Sequence, residues 1–371
     1  MRNVVCLVLG GGKGTRLFPL TQYRSKPAVP LCGKYRIIDF PLSNCANSNI
    51  SVIGVLTQYE SVLLNSYVAQ DQRWGLDAKD SGIYVLPPRE KSEGFGLYRG
   101  TADAITQNID FVDQYDPDYV LILSGDHIYK MDYDAMLEDH KRNKADVTIA
   151  VLEVPLKEAS RFGIMNAHED GRIYEFEEKP KNPKSNLASM GIYIFSWPLL
   201  KQALIDDLAI EDSNHDFGKD IIPGFLNSGK RLFTHRFKGY WKDVGTIDSL
   251  WEANMDLIYH RDELNLAYPS WKIYTEDITV PPQYMGPNAS IENAYINQGC
   301  VVDGTVINSV LFTGVKVDKG AVVKDSVLMP FSHVKSDAFV QRVIVADDVV
   351  IGEGAKVGKE SGEIDLISQN I

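Results

Sequence analysis

A glycine-rich segment near the amino terminus combines residue types that bind phosphate groups. It reads Leu9-Gly10-Gly11-Gly12-Lys13-Gly14-Thr15-Arg16-Leu17 and directly follows an apolar run. Because glycine has no Cβ, several backbone N–H groups of such a segment can approach the oxygens of one anion. Lys13 and Arg16 add charged donors that suit a polyphosphate. The segment therefore predicts a phosphate-binding turn that follows a strand.

The spacing of this turn differs from two common nucleotide-binding patterns. The sixth position of a GxGxxG turn is glycine, whereas the sixth residue counted from Gly10 is Thr15. The lysine of a Walker A loop precedes Ser or Thr, whereas Lys13 precedes Gly14. A second lysine, Lys26, follows about ten residues after the turn in a segment bracketed by prolines. It gives the predicted phosphate site another cation on a rigid stretch of chain.

Two aspartates lie where carboxylates could face a ligand. Asp126 follows the apolar run Tyr119–Leu123, and Asp243 lies in a predicted turn over residues 241–246. In parallel sheets ligands bind beyond the carboxyl ends of the strands, so a carboxylate at such an end can point into the crevice. Lys179 lies in a charge-rich run, where a solvated surface lysine and a phosphate-binding lysine are both open interpretations.

The elements that must position these residues alternate in type over the first 260 residues. The apolar runs are Val4–Leu9, Ile53–Thr57, Tyr119–Leu123 and Val147–Leu152, and the predicted helices are Thr101–Gln114, Asp132–Asn143 and Thr246–His260. Runs without polar alternation are typical of strands buried on both faces of a parallel sheet. The alternation predicts an α/β domain with a mostly parallel, Rossmann-like sheet over residues 1–260.

The chain changes character after a proline-containing linker, predicted over residues 261–288. From residue 289, pairs of small or apolar residues two positions apart recur every five or six residues, thirteen times in succession. They begin with Ala289/Ile291, include Thr305/Ile307 and end with Ala355/Val357. This repeat predicts a parallel β-helix of hexapeptide repeats over residues 289–371, with roughly four coils of three short strands. A β-sandwich, the alternative, would have longer strands and less regular spacing.

Composition limits the classes of function. There are 38 basic and 50 acidic side chains, a formal net charge of −12, which argues against a nucleic-acid partner. Apolar content of 44% and charged content of 24% are ordinary globular values. The four cysteines form no CxxC pair, which indicates reduced thiols and a cytoplasmic location. The apolar run Val4–Leu9 is too short for a signal peptide or a membrane span, so no membrane association is expected.

Several further motifs, in order along the chain, resemble the sugar-phosphate nucleotidyltransferase family. The Gly-Gly-Lys-Gly-Thr-Arg-Leu turn and Lys-Pro-Ala-Val-Pro (26–30) are similar to that family as a whole. The narrower resemblance, to glucose-1-phosphate adenylyltransferases, comes from the motifs at residues 33–40, 42–45, 98–104, 124–130, 178–180, 188–193, 215–220 and 240–246. The resemblance covers nearly the whole chain and implies a left-handed β-helix as the C-terminal domain.

The resemblance implies a reaction in which ATP and α-D-glucose 1-phosphate give ADP-glucose and diphosphate, as the glucosyl donor for glycogen synthesis. It implies that Asp126 and Asp243 hold Mg²⁺, and that they act in catalysis with Arg16 and Lys26. It also implies two sets of binding residues. The ATP phosphates would contact Gly10, Gly11, Gly12, Gly14, Thr15 and Arg16, and glucose 1-phosphate would contact Tyr98, Gly163, Glu178, Lys179 and Ser189.

Four questions stay open at this stage. The chain could be a catalytically silent regulatory subunit of the same enzyme, although such subunits tend to lose the residues that are present here. The enzyme could use another base, and the β-helix could carry an acyltransferase, although only His333 lies in that region. The assembly implied by the resemblance is a homotetramer or a heterotetramer with a paralogous subunit. His127 and His215 are interpreted as structural hydrogen-bond formers, because attack by a phosphate anion requires no proton transfer.

Overall fold

The computed structural model describes residues 4–76, 81–91 and 94–371. An α/β part comes first, and a stack of short parallel strands follows it. The strands of the first part are β1 (Val4–Leu9), β2 (Pro30–Leu31), β3 (Tyr35–Arg36), β4 (Val52–Leu56), β5 (Gly82–Leu86), β6 (Glu90–Lys91), β7 (Gly94–Phe95), β8 (Tyr119–Ser124), β9 (His127–Tyr129), β10 (Val147–Glu153), β11 (Gly163–Ala167), β12 (Ile173–Glu178), β13 (Leu187–Ser196), β14 (Leu232–Arg236) and β15 (Trp241–Asp243).

Helices connect and cover these strands. They are α1 (Asp39–Asn47), α2 (Val62–Val68), α3 (Thr101–Thr106), α4 (Ile109–Asp113), α5 (Tyr133–Arg142), α6 (Leu156–Ala159), α7 (Trp197–Leu208), α8 (Ile222–Asn227) and α9 (Ile247–Tyr259). Short 3-10 turns cover Thr15–Leu17, Lys26–Ala28 and Asp71–Trp74, and a π-helical turn covers Phe217–Ile221. None of the helices in the described ranges combines the length and the apolar character that a membrane crossing requires.

A nine-stranded sheet forms the centre of the α/β part, with the order β12-β11-β13-β8-β1-β4-β5, while β10 pairs with β13 and β14 pairs with β10. Strands β5, β4, β1 and β8 are parallel, and only β12 and β13 run in the opposite direction. The predicted α/β fold with a mostly parallel sheet is confirmed. The apolar runs that predicted buried strands lie in its middle, where helices cover both faces.

Parallel pairing brings the carboxyl ends of β1, β4 and β8 to one edge of the sheet. Leu9 is level with Leu56 on one side and with Ser124 on the other. The chain continues from these ends with close backbone contacts, since Gly10 N–H donates to Leu56 O at 2.8 Å and Gly125 N–H donates to Leu9 O at 3.0 Å. The glycine-rich turn and the turn that carries Asp126 therefore meet at this edge.

The helix predicted over Thr101–Gln114 is two helices in the structure. It is interrupted between α3 and α4 at Asn108, whose side-chain amide donates to the carbonyl of Ala104 at 2.9 Å and to the hydroxyl of Tyr98 at 3.1 Å. Asparagine side chains compete with the backbone for such hydrogen bonds, which disfavours a continuous helix at this position. The predicted helix Asp132–Asn143 corresponds to α5, and Asp132 caps its first turn by accepting a hydrogen bond from Asp134 N–H.

The C-terminal part contains three parallel sheets, each with five strands. Its strands are β16 (Tyr284–Met285), β17 (Ser290–Glu292), β18 (Tyr295–Ile296), β19 (Val301–Val302), β20 (Thr305–Ile307), β21 (Val310–Leu311), β22 (Lys316–Val317), β23 (Val322–Lys324), β24 (Val327–Leu328), β25 (His333–Val334), β26 (Phe339–Gln341), β27 (Val343–Val345), β28 (Val350–Ile351), β29 (Lys356–Gly358) and β30 (Asp365–Ile367). The arrangement confirms the predicted repeat domain and is consistent with a left-handed β-helix.

Two details of the repeat prediction were wrong. The stack has five coils rather than roughly four, because β16 and β30 lie outside the predicted pairs. The pair Thr305/Ile307 is out of register by one residue, since the structure aligns Ile291, Val306, Val323, Val340 and Val357 in one column. In this coil the pair is Gly304/Val306, and the inward position that Ala321 occupies in the next coil is taken by Gly304, where a Cβ would lie 2.6 Å from Ala321 O. A residue without a side chain cannot be recognised as half of an apolar pair.

Helix α9 joins the two parts of the molecule. A capping box between Thr246 and Ser249 fixes its start, and its apolar face belongs to the same hydrophobic cluster as the interior of the β-helix. Polar contacts fix its orientation, since Trp251 Nε1 donates to Asp325 O at 3.0 Å and Asp248 accepts from Ile364 N–H at 3.0 Å. The β-helix is therefore packed on the element that directly follows Asp243.

A buried carboxylate, Asp39, anchors the segment between α9 and β16. It accepts hydrogen bonds from Tyr67 Oη at 2.6 Å, Thr275 Oγ1 at 2.6 Å and the backbone N–H of Arg36 at 2.8 Å. Burial raises the pKa of Asp39 to about 6, since these hydrogen bonds and the Arg36 charge offset the loss of hydration only in part. Asp39 therefore changes its charge close to neutral pH.

Asp39→Asn should remove a pH-dependent component of stability. The pKa of Asp39 is higher in the folded chain than its ordinary value, so the folded chain keeps this proton up to a higher pH than the unfolded chain does. The protonated carboxyl therefore contributes stability at about pH 4, and this contribution is lost as the pH rises above about 6. The difference in unfolding free energy, wild type minus variant, should decrease by up to about 3 kcal/mol between pH 4 and pH 7. Urea unfolding at several pH values measures it, with the exposed Asp212→Asn as control. Parallel wild-type and Asp39→Asn profiles would contradict this assignment.

Candidate active site

Three charged side chains from distant parts of the chain meet at the edge of the sheet. Lys26 Nζ lies 2.8 Å from Asp126 Oδ2 and 3.1 Å from Asp243 Oδ1. Asp126 lies in the turn between β8 and β9, and Asp243 ends β15 rather than lying in a turn as predicted. Antiparallel pairing of β15 with β9 sets Asp243 opposite His127 and so brings the two aspartates together. The three residues form a compact ion-paired cluster, called here the Lys26 triad.

The charges of this triad are stabilised by its surroundings. Burial alone would raise the pKa of Asp126, but His127, the Lys26 ammonium and hydrogen bonds from Lys26 and Ser124 outweigh burial and hold that pKa well below its usual range. Burial would likewise lower the pKa of Lys26, but the two carboxylates raise it above its ordinary value. Lys26 and Asp126 are therefore charged at neutral pH.

The same cluster could hold a divalent cation. Asp126, His127 and Asp243 each offer a ligand atom, and these atoms lie within 4.8 Å of one another. Mg²⁺ prefers oxygen ligands and commonly takes one or two carboxylates together with phosphate oxygens and water. Two aspartates side by side next to the glycine-rich turn therefore fit the Mg²⁺ that the resemblance implies.

The glycine-rich turn lies next to the triad and is open on one side. Gly14 has a φ of +61° and passes directly into the 3-10 turn that begins at Thr15. Thr21 Oγ1 donates to Gly14 O at 2.9 Å and holds this bend in place. A Cβ added at Gly12 would meet no atom within 4 Å, so this part of the turn faces open space. Its backbone is accessible to a ligand.

Arg16 lies beside Asp243. A Cβ added at Gly245 would lie 2.8 Å from Arg16 Nη2 and 3.1 Å from Asp243 Oδ1, so a glycine at this position leaves room for both side chains. The Lys13 ammonium lies 4.7 Å from the centre of the Tyr59 ring. The basic groups of the turn are thus placed on two sides of it, with Arg16 towards the triad.

A cleft of about 370 Å³ opens between the glycine-rich turn and α3. Its lining includes Gly10, Gly11, Gly12, Lys26, Gln58, Tyr98, Thr101, Ser124, Asp126 and Asp216. Of the six residues predicted for the ATP phosphates, the three glycines Gly10–Gly12 share this cleft with Asp126. Gly14, Thr15, Arg16 and the second predicted metal ligand, Asp243, are not among its lining residues. If a nucleotide bound in this cleft with its phosphates on the glycine-rich turn, those phosphates would lie close to Asp126.

Four of the five residues predicted for glucose 1-phosphate, all except Tyr98, lie on or directly after β11, β12 and β13. Gly163 is level with Glu178, and a Cβ at Gly163 would lie 3.0 Å from Glu178 Oε2, so the glycine leaves room for that carboxylate. Lys179 Nζ pairs with Glu178 Oε1 at 3.0 Å, and 65% of the Lys179 side chain is exposed. Lys179 can therefore move towards a ligand without losing buried contacts.

Ser189 lies next to the turn that carries Asp126. It is buried, accepts from Gly191 N–H at 3.1 Å and donates to Tyr193 Oη at 3.4 Å. A Cβ at Gly191 would lie 3.5 Å from Ser124 Cβ, which shows how closely β13 approaches the turn after β8. Ser189 therefore lies on β13 itself, two residues before the point at which this strand approaches the turn that carries Asp126.

Tyr98 lines the cleft together with the glycine-rich turn, whereas the other four residues predicted for glucose 1-phosphate are not among the lining residues of that cleft. Its hydroxyl donates to Leu86 O at 2.8 Å and accepts from Asn108 Nδ2 at 3.1 Å, and its backbone N–H donates to Gln58 Oε1 at 2.5 Å. Burial raises the pKa of Tyr98 to about 12. These hydrogen bonds tie Tyr98 to the side of the glycine-rich turn rather than to Glu178, Lys179 or Ser189.

The structure adds site residues to which the sequence analysis assigned no role. Asp216 lines the cleft, accepts from Thr101 Oγ1 at 2.9 Å and accepts from Gly218 N–H at 2.9 Å. Arg161 Nη2 lies 4.0 Å from Asp243 Oδ2. Asp216 falls in one of the recognised motifs, so a signal existed for it, whereas Arg161 lies in a loop without a distinctive pattern.

The two histidines form hydrogen bonds, as predicted. His127 Nδ1 lies 3.1 Å from Met190 O, and its Nε2 lies 3.4 Å from Asp126 Oδ1. His215 Nδ1 lies 2.6 Å from Asp207 Oδ2, and its carbonyl accepts from Ala102 N–H at 2.8 Å. His215 thereby fixes the start of α3 at the cleft, while His127 supports the triad.

Both parts of the chain match models of known protein families. Residues 5–259 match the model of the nucleotidyl transferase family, and residues 282–365 match that of the GlmU-like C-terminal hexapeptide family. A glucose-1-phosphate adenylyltransferase of Clostridium perfringens (strain 13 / Type A) is 54% identical over 99% of this chain and 93% of its own. The protein of the same name in Clostridium botulinum (strain Alaska E43 / Type E3) is 59% identical over 88% of this chain and 84% of its own length. The one in Bacillus thuringiensis (strain Al Hakam) is 52% identical over 99% of this chain and 97% of its own length.

Gly14→Ala should destabilise the site, whereas Gly12→Ala should not. A Cβ at Gly14 would lie 2.9 Å from Thr21 Cγ2. The alanine would also have to adopt the positive φ of Gly14, a conformation that costs about 1–2 kcal/mol for an L-residue. Gly12 has open space around its Cβ position and serves as the matched control. Urea unfolding should show a loss of about 1–2 kcal/mol or more for Gly14→Ala and about 0.5 kcal/mol or less for Gly12→Ala. Equal stability of the two variants would show that the bend at Gly14 is not required.

Proposed function

The chain belongs to the nucleotidyl transferase family, among the glucose-1-phosphate adenylyltransferases, and from this we propose that it transfers the adenylyl group of ATP to α-D-glucose 1-phosphate. The products are ADP-glucose and diphosphate. The observation that carries this function is that relatives with this name match nearly the whole chain at 52–54% identity. The Lys26 triad beside the glycine-rich turn supplies the chemistry that the reaction needs.

The reaction joins two anions, so positioning and charge neutralisation are the tasks of the site. A phosphate oxygen of glucose 1-phosphate attacks the α-phosphorus of ATP, and the bond from that phosphorus to the bridging oxygen of the leaving diphosphate breaks. No proton has to move in this exchange. Gly10 N–H ties the turn to β4 through Leu56 O, so the backbone N–H groups of Gly11 and Gly12 are the ones left for the triphosphate. The cations Arg16 and Lys26 offset its negative charge.

We propose Mg²⁺ as the cofactor, held by Asp126 and Asp243. When bound, it supplies positive charge at the phosphate oxygens. Ser124 and His127 orient Asp126 through the contacts described above, and Gly245 leaves Arg16 room to stand next to Asp243. The residues of this chain therefore present two aligned carboxylates with flanking cations at the α-phosphate.

Glucose 1-phosphate would bind to the group on β11, β12 and β13. Lys179 pairs with the phosphate, Glu178 and Ser189 accept or donate hydrogen bonds at the sugar hydroxyls, and Gly163 permits close approach of the ring. Tyr98 was predicted for the same site. Because Leu86 and Asn108 occupy its hydroxyl, we propose that Tyr98 contributes a wall of the cleft rather than a hydrogen bond to glucose.

The cellular role and assembly are also proposals. We propose that the ADP-glucose serves as a glucosyl donor for glycogen synthesis in the cytoplasm, by an enzyme that is a homotetramer or a heterotetramer with a paralogous subunit. The name of the relatives agrees with the formation of ADP-glucose, the step on which this role depends.

A catalytically silent regulatory subunit is the alternative function. Its hallmark would be a damaged phosphate turn or a missing metal ligand. The structure brings the glycine-rich turn, Asp126 and Asp243 together at one edge of the sheet, with an intact ion-paired triad. This geometry supports an active enzyme over a silent partner.

Nucleotide choice tests the proposed function. The purified protein should release diphosphate from ATP and glucose 1-phosphate with Mg²⁺, and UTP, dTTP and GTP should be much poorer substrates. Comparison of kcat/KM for the four nucleotides measures this preference. Comparable values with UTP or dTTP would contradict adenylyl transfer, and no activity with any nucleotide, alone or with a paralogous subunit, would favour the silent subunit.

Two substitutions should separate metal binding from sugar binding. Asp126→Asn should fold yet lose most of kcat, because it removes a charge that acts on the transferring phosphate. Lys179→Gln should raise KM for glucose 1-phosphate by roughly 10- to 100-fold, the worth of one charge-assisted contact, and leave KM for ATP nearly unchanged. The exposed Lys181→Gln, two residues away, is the matched control and should behave as wild type. A loss of kcat alone in Lys179→Gln would contradict the role of this lysine.

A further inference from the structure

We propose that the Lys26 ammonium stands in for the divalent cation between Asp126 and Asp243 in the metal-free enzyme and moves to the nucleotide phosphates when the metal nucleotide enters. This inference rests on the proposed function, because it takes the two aspartates as the metal ligands. It goes further by assigning Lys26 two successive partners. It also implies that the enzyme takes up the metal together with the nucleotide rather than alone.

The geometry of Lys26 matches that of a bridging cation. Its Nζ contacts one oxygen of each aspartate, at 2.8 and 3.1 Å, and only 8% of its side chain is exposed. Among the ion pairs of the described residues, Lys26 is the cation paired with both carboxylates, whereas His127 Nε2 pairs with Asp126 at 3.4 Å and Arg161 Nη2 with Asp243 at 4.0 Å.

Electrostatics explains why such a cation is needed. The ligand atoms of Asp126 and Asp243 lie within 4.8 Å of each other, and the two side chains are only 31% and 17% exposed. Like charges at this distance in a partly buried site repel strongly. One ammonium compensates half of the carboxylate charge and holds both groups in the positions that a divalent cation would use.

The backbone of Lys26 is fixed while its side chain can move. Val29 N–H donates to Lys26 O at 3.1 Å, and the preceding Ser25 donates its N–H to Glu60 O at 3.0 Å, which together hold the 3-10 turn. The ammonium sits at the end of a flexible four-carbon stem and carries three donors. Lys26 also lines the cleft together with Gly10, Gly11 and Gly12, so nucleotide phosphates would lie within its reach.

Metal and nucleotide binding are coupled as a consequence. A bare cation must displace the ammonium from two carboxylates and leave it without a partner in a nearly buried position, which is unfavourable. A metal nucleotide brings phosphate oxygens that become the new partners of Lys26. The metal-free enzyme should therefore bind bare cations weakly.

The test measures metal binding without turnover. Mn²⁺ is titrated into nucleotide-free protein, and free Mn²⁺ is followed by electron paramagnetic resonance. Lys26→Met should bind Mn²⁺ at least about tenfold more tightly than wild type, since one competing charged contact is worth roughly that factor or more. Lys141→Met, which removes the exposed pair with Glu138, is the matched control and should not change the affinity.

Two further measurements keep the inference falsifiable. Lys26→Met should have a lower melting temperature than wild type without metal, and Mn²⁺ should raise it by more than it raises that of wild type. The double variant Lys26→Met/Asp126→Asn should lose the gain in Mn²⁺ affinity, because it lacks one carboxylate. If Lys26→Met does not fold without metal, Lys26→Gln replaces it, and folding rescued by Mn²⁺ would itself support the stand-in role.

Failure of this inference differs from failure of the proposed function. Equal or weaker Mn²⁺ binding by Lys26→Met and Lys26→Gln would overturn the inference, even in a chain that makes ADP-glucose. Tighter Mn²⁺ binding in a chain that makes no ADP-glucose would overturn the function and leave the stand-in role intact. A double variant that keeps the gain would show that the cation binds elsewhere and would overturn the inference.

Discussion

Repulsion between two carboxylates is the constraint on which the active site depends. The fold brings Asp126 and Asp243 side by side, with ligand atoms within 4.8 Å of each other, and two negative charges at this distance repel strongly in a partly buried position. Lys26 resolves this conflict by bridging both at 2.8 and 3.1 Å. The two carboxylates are consequently in place before any ligand enters, and by our proposal the Lys26 side chain is the group that changes partners when the metal nucleotide arrives.

The fold supplies the three members of the triad from independent elements. The turn after β8 provides Asp126, the end of β15 provides Asp243, and the proline-bracketed 3-10 turn provides Lys26. Parallel pairing of β1 with β4 and β8 sets the glycine-rich turn at the same edge. Helix α9 begins directly after the β15 segment and packs into the core shared with the β-helix. The C-terminal domain therefore supports the segment that carries Asp243 through its contacts with α9.

Local pattern was sufficient for the buried strands, the glycine-rich turn and the hexapeptide repeat, because backbone sterics and side-chain periodicity act over a few residues. The roles of Asp126, Asp243 and the sugar-phosphate residues came instead from the resemblance to a known family. Predictions failed where a side chain competed with the backbone or was missing. Asn108 interrupts a predicted helix by donating a hydrogen bond to Ala104 O. Gly304 takes the first position of an apolar pair of the β-helix, and without a side chain it was not recognised as part of that pair.

The sequence by itself determined which residue types are available: a glycine-rich turn, two aspartates, several cations and a repeat that must stack. Tertiary structure decided which of them meet. Lys26 is separated from Asp126 by 100 positions and from Asp243 by 217, and no local rule relates residues so far apart. The same holds for Tyr98, whose hydroxyl is occupied by Leu86 and Asn108. Contacts of this kind depend on strand order and register, which arise from packing of the whole core rather than from any short segment.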